Sequence, residues 1–234
     1  MPSSFFGELV VGLIIVIACA VFTTVFIVFW KSQENEQGEI TNAPPSQKKS
    51  PSNQSGAEFE QELHDFVANI LPSSGAVFDS LIIEDERGTT QIDLILILPS
   101  AFIVVEAKQM SGLIVGGQYN KRWMQFLAGG RSRFFFQNPF RQNYRHMKAL
   151  ESLTGVPIDT MGSAVVFGGR CTLGEKMPQL VFKDKESFGL YVQQLLPSPT
   201  LFTEEQIEFL CGKIAFAKQA GSQAQARHIQ SLTH

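Results

Sequence analysis

Apolar and polar positions divide the chain into three regimes. Residues 9–30 (LVVGLIIVIACAVFTTVFIVFW) form an uncharged run of 22, enough for a helix of about 33 Å, which matches a hydrocarbon core of about 30 Å. Residues 1–8 hold neither Lys nor Arg, so the basic leader of a cleaved signal peptide is missing. Val16-Ile17-Ala18-Cys19 loosely fits a lipoprotein cleavage box, but residues 20–30 stay apolar where a processed chain should turn polar. The pattern predicts a short tail (1–8) and an uncleaved single-pass transmembrane helix (9–30). Residues 31–55 carry no aromatic and almost nothing apolar, so they predict a flexible, disordered linker. Lys31, Lys48 and Lys49 follow the span and no base precedes it, which orients the remainder into the cytoplasm at the inner (plasma) membrane.

Beyond residue 55 the pattern is that of a mixed α/β domain, expected over 56–218. Phe59, Leu63, Phe66, Val67 and Ile70 recur at helical spacing over 56–71, with Pro72 as a stop. Alternating or branched runs predict strands at 77–84, 91–98 and 101–108, separated by DERGT (85–89) and by Pro99-Ser100. Asn138-Pro139 opens a second helix that ends at Gly155. A strand at 162–167, another near 180–182, and helices near 186–196 and 203–218 complete the expectation. Residues 219–234 are polar and predict a frayed tail.

Composition narrows this picture little, but the distribution of charge narrows it a good deal. The formal charge is -3, yet residues 107–150 hold eight bases and no acid. The bases are Lys108, Lys121, Arg122, Arg131, Arg133, Arg141, Arg145 and Lys148, interleaved with Tyr119, Trp123, Phe134, Phe135, Phe136, Phe140 and Tyr144. A basic, aromatic-rich stretch in an otherwise acidic protein is what phosphate backbone and exposed bases require, although an anionic-lipid contact is also compatible. Cys19, Cys171 and Cys211 lie far apart without a CxxC or Cys/His cluster, which signals neither a zinc site nor a disulfide-linked partner.

Candidate chemistry sits just upstream of that stretch. If the 91–108 hairpin turns at Pro99-Ser100, Asp93 falls opposite Glu106, and alternation puts Lys108 on the face of Glu106. Two like charges opposite each other in a covered sheet are costly unless paired or bound to a cation. Oxygen donors with no His or Cys nearby suit a hard ion such as Mg²⁺ or Mn²⁺.

The combination Gln91-Ile92-Asp93, Val104-Val105-Glu106-Ala107-Lys108, Gly112, Trp123, Asn138-Pro139, Gln142 and His146, preceded by a helix bearing Glu60, resembles the nuclease-related domain (NERD) family of the PD-(D/E)xK nuclease superfamily. The likeness covers about 56–167. It departs in one place: the family helix usually reads Gly-Glu, whereas Phe59 precedes Glu60 here, which makes Glu58 and Glu62 competitors. The resemblance implies a restriction-endonuclease-like mixed sheet flanked by helices, behind the transmembrane helix and linker. It implies metal ligation by Asp93, Glu106 and the Ala107 carbonyl, with Lys108 orienting or deprotonating water and Glu60 holding a metal-bound water or a second ion. Gln91 and Gln109 would support these groups. Lys121, Arg122, Trp123, Arg131, Arg133, Asn138, Arg141, Gln142, Arg145, His146 and Lys148 are the expected nucleic-acid-binding residues.

The expected function is a membrane-anchored, divalent-metal-dependent nuclease with DNA ahead of RNA as substrate. The alternative is a catalytically silent module of the same fold that binds nucleic acid, anionic lipid or a protein partner at the membrane.

Overall fold

The computed structural model describes residues 51–232, with side chains placed over 55–222. The expected tail, transmembrane helix and most of the linker (1–50) lie outside the described residues. Among the described residues, no helix is long and apolar enough to cross a membrane.

Among the described residues, four α-helices and nine strands follow in order: α1 (Pro51–Ile70), β1 (Ala76–Asp85), β2 (Gly88–Leu98), β3 (Ala101–Gln109), β4 (Gly112–Val115), β5 (Arg122–Leu127), β6 (Ser132–Gln137), α2 (Pro139–Thr154), β7 (Met161–Gly168), β8 (Cys171–Leu173), β9 (Val181–Phe182), α3 (Lys185–Leu195) and α4 (Glu204–Leu232). β1, β2, β3, β7 and β9 form a mixed five-stranded sheet in that order, and β6, β5, β4 and β8 form a second sheet. The expectation of a mixed sheet flanked by helices therefore holds.

Two ends differ from the sequence reading. α1 is described from Pro51, so residues 51–55 are helix rather than linker. The tail expected from 219 is instead the end of α4, which continues to Leu232. Its Ala, Gln and Arg are strong helix formers, and Gly221 lies so close to β1 that a Cβ would press on the Ile82 carbonyl.

Alternation on the central strands sorts the layers. Ile103, Val105 and Ala107 of β3 join Leu94, Leu96 and Leu98 of β2 in a core with Phe59, Leu63 and Val67 of α1 and Phe188 and Val192 of α3. On the opposite face, α2 binds the strands directly. The buried Asn143 donates through Nδ2 to the Val104 and Ala164 carbonyls (3.2 and 2.9 Å), clamping α2 onto β3 and β7. Phe102 packs edge-on against Phe202 ahead of α4, and Lys213 of α4 donates to the Leu153 carbonyl.

The second sheet grows out of the first. β3 pairs parallel with β7, and the pairing carries on as Met110 N–H to Gly168 O and Gly112 N–H to Arg170 O, both 3.1 Å, into the parallel β4–β8 pair. Each ribbon creases at a glycine with positive φ, Gly112 (+77°) and Gly169 (+81°). A Cβ at either would collide with a carbonyl, that of Phe126 or of Met110.

Strands β4, β5, β6 and β8 were not expected from the sequence. β4 is only four residues long, and β6 (SRFFFQ) places Phe134 and Phe135 on adjacent, outward positions, so neither shows clean alternation. The expected nucleic-acid contact Trp123 is fully buried among Ile114, Val165 and Phe167, and its ring N–H donates to the Gly117 carbonyl at 2.9 Å. Asn138, also expected there, is fully buried as the N-cap of α2. Its Oδ1 accepts from Phe140 N–H, and its Nδ2 donates to the Gln118 and Asn120 carbonyls (2.8 and 2.7 Å). Asn138→Ala should therefore destabilise the domain by about 2 to 4 kcal/mol in denaturant unfolding, with Asn138→Ser, which keeps the cap but cannot reach the loop, recovering about half of the loss.

Candidate active site

The β2–β3 hairpin has the expected register, with Leu98 opposite Ala101 and Leu94 opposite Val105. Backbone pairing stops there, one pair short of Asp93 and Glu106. In place of a carbonyl, the Asp93 carboxylate takes the next ladder donor: Ala107 N–H reaches Oδ2 at 2.9 Å. The other neighbour is interrupted at the same level. β1 pairs Asp79 with Leu94 and Leu81 with Ile92, but it skips Ser80, which takes a φ of +50° opposite Asp93. A sheet strand thus opens on both sides around one acidic residue, which relieves the like-charge pairing that a continuous ladder would force.

Glu106 is 2% exposed, and both its oxygens are engaged. Lys108 Nζ donates to Oε1 at 2.5 Å, and His146 Nε2 lies 3.2 Å from Oε2. Thr90 Oγ1 is 2.9 Å from His146 Nδ1, so the ring bridges Thr90 and Glu106, with Nε2 facing the carboxylate. Against the burial that would raise it, the hydrogen bonds from His146 and Lys108 hold the Glu106 carboxyl below its ordinary range. Burial works against the Lys108 ammonium too, yet Glu106, then Asp93 and Glu60, raise its pKa, so it stays charged.

Asp93 is the opposite case. Burial first, then Glu106 and Glu60, push its carboxyl up to about 8. Glu60 is raised as well, by burial and then by Glu106, with Lys108 lowering it and Asp79 adding to the rise. Among the helix-borne competitors the structure singles out Glu60. Glu58 and Glu62 are exposed, and Glu62 pairs with Lys185. The departure at Phe59 has a packing reason: its ring fills the space over β7 that a Cβ at Gly168 would occupy.

Glu60, Asp93, Glu106, Ala107 and Lys108 are thus brought together, whereas other expected site residues are not. Gln91 and Gln109 are exposed, and among the described hydrogen bonds neither reaches the carboxylates. The supporting positions belong instead to His146, expected as a nucleic-acid contact, and to Thr90, which the sequence reading missed. No sequence signal marked Thr90, because the ladder break at Ser80 and Asp93 upsets the alternation that would have sorted its face. Arg145, expected to grip phosphate beside Arg141, is instead ion-paired with Asp85, and its Nη2 donates to the Thr89 carbonyl at 3.0 Å, pinning α2 to the β1–β2 turn. Lys148 pairs with Glu151 at 2.8 Å. Arg122, Arg131 and Arg133 are exposed on and around the β5–β6 hairpin, as is Lys121, while Arg141 and Gln142 are half-buried on α2.

Three acids and a lysine at the opened end of a mixed sheet define an α/β domain built around one charged centre. Residues 55–168 match the family described as NERD, nuclease-related domain. An uncharacterized protein of Bacillus anthracis is 30% identical over 183 residues, which cover 76% of this chain and 83% of its own. The chain belongs to the NERD family.

The raised Asp93 pKa makes a signed prediction. The unfolded carboxyl ionises near 3.8, whereas the folded one keeps its proton up to about pH 8. In EDTA, the Asp93 contribution to stability should fall as pH rises across that window, by at most about 1.4 kcal/mol per pH unit, and level off above it. Asp93→Asn should gain stability relative to the wild type between pH 5 and 8 in denaturant unfolding; a parallel pH dependence for the two proteins would contradict the assignment.

Proposed function

We propose that this protein is a membrane-anchored, divalent-metal-dependent nuclease that hydrolyses phosphodiester bonds, with DNA ahead of RNA. The observation that carries the reading is the burial of Asp93 beside Glu106 and Glu60, which raises its pKa and which a bound cation would relieve.

The donors fit a hard ion that keeps most of its own water. Asp93 has Oδ1 outside its bond to Ala107, and N–H and C=O of one residue point the same way in a strand, so the Ala107 carbonyl lies on the Asp93 side. In this reading Mg²⁺ or Mn²⁺ would be held by Asp93, Glu106 and the Ala107 carbonyl, with water completing the shell; among the described residues no group of three or more His, Cys, Asp or Glu side chains is placed to hold a metal. Such an ion polarises the phosphate and makes water a better nucleophile when bound. Lys108, charged and beside Glu106, orients the water and stabilises the phosphorane charge, a role better matched to its raised pKa than that of base. Glu60, half-buried and short of its ordinary acidity, is placed to hold a water or a second ion. His146 and Thr90 hold Glu106 in orientation.

The uncharged run at 9–30 and the lysines that follow it support an anchor in the inner (plasma) membrane with the domain cytoplasmic. The silent binding module is the second reading, and the occupancy of both Glu106 oxygens by protein donors favours it.

The full chain in detergent, given labelled DNA and RNA with Mg²⁺, Mn²⁺ or EDTA, decides between them. Metal-dependent cleavage is expected, with Asp93→Ala and Lys108→Ala each reducing kcat by at least about 100-fold and His146→Ala by less. Salt-dependent binding without cleavage in any metal would remove the enzyme reading and leave the binding module.

A further inference from the structure

The second sheet has two unlike faces. Trp123 and Ile114 occupy one, buried against Val165 and Phe167 of the first sheet. The register puts Leu113 opposite Phe126, Met124 opposite Phe135, Phe126 opposite Arg133 and Arg122 opposite Gln137, so Leu113, Met124, Phe126, Phe135, Arg122 and Arg133 share the other face. Leu113 and Phe135 are 39% and 52% exposed there, Met124 and Phe126 are half-buried, and both arginines are exposed. The Arg122 guanidinium lies 5.9 Å over the Phe135 ring.

We propose that this bare face is a platform for single-stranded nucleic acid. The proposal rests on the nucleic-acid reading above and adds the form of strand that is bound. The face combines apolar and aromatic surface with cations, and its strands carry no acid, since residues 107–150 and 171–173 contain neither Asp nor Glu. A flat aromatic surface can bind a base only when the base's own ring faces are free, which holds in a single strand and not in a stacked duplex. A second copy of the chain would set arginines against arginines, a juxtaposition that costs affinity. The sheet that carries the platform follows the candidate active site along the chain. Gly112, where β4 begins, follows Lys108 by four residues, a chain distance of at most about 14 Å.

The test measures affinity of the full chain in detergent and EDTA for a labelled single strand and for the matching duplex, over a series of salt concentrations. The single strand should bind more tightly. Phe135→Ala should weaken it about tenfold, Phe135→Trp should restore it, and Phe135→Leu, apolar but ringless, should not. Arg122→Ala and Arg133→Ala should each lower the slope of log affinity against log salt by about 0.7. Phe134→Ala removes an equally exposed ring from the opposite face of the same strand and should change nothing.

Unchanged single-strand affinity in Phe135→Ala overturns the platform, and metal-dependent cleavage persisting in that variant would leave the nuclease reading intact. A wild type that binds through Phe135 but cleaves nothing keeps the platform and removes the nuclease. A wild-type dimer that Phe135→Ala converts to monomer would assign the face to a second copy and overturn the proposal.

Discussion

A carboxylate that is almost wholly removed from water must have both oxygens satisfied, and the structure is arranged around meeting that demand at Glu106. Lys108 comes from two residues along the same strand, and His146 comes from α2 across the sheet. The second contact requires α2 to sit at a fixed height on β3. Asn143, one turn before His146, fixes that height by reaching the backbone of β3 and β7, and the Arg145 pair with Asp85 fixes its far side. Asn143 Oδ1 remains a buried acceptor with no partner among the described groups, a local cost borne by a residue whose amide N–H groups tie α2 to two strands of the sheet. The site and the packing of α2 are therefore one arrangement.

Asp93 shows the complementary principle. The interior tolerates Glu106 because donors converge on it, whereas Asp93 receives a single backbone N–H and sits beside two other acids. The two neighbours on one hairpin consequently differ in sign of shift, one acidic and one reluctant to ionise. Strand pairing gives way around Asp93 on both sides, so the electrostatic conflict is accommodated by the backbone as well as by protonation.

Much of the first sheet was legible because its strands are long, branched and bounded by turn residues. The register followed from Pro99-Ser100, and with it the approach of Asp93, Glu106 and Lys108. Of the three acids weighed on the first helix, the fold leaves Glu60 half-buried, because the buried Leu63 fixes which side of α1 faces the sheet. The second sheet was not legible. Its strands are short, one of its faces is bare, and a half-covered sheet rich in Arg and Phe reads along the chain as a basic loop. The roles of Trp123, Asn138 and Arg145 were misread for a related reason: residue type announces what a side chain can do, but burial and partners decide what it does. Trp123 became core, Asn138 a cap and Arg145 an ion-pair partner once β5, β6 and α2 closed around them. Thr90 was hidden by the interruption of alternation next to Asp93.

The glycine creases bear on the order in which the chain can fold. Strands β1 to β3 and β4 to β6 are local meanders whose ends meet at low entropic cost, while β3 must find β7 across the whole of the second meander and α2. Loop-closure cost rises only with the logarithm of loop length, and once β3 has met β7 the chain passes directly through Gly112 and Gly169 into β4 and β8. Closing the first sheet therefore delivers the last strand of the second without a further search. One long-range meeting, β3 with β7, thus serves both sheets.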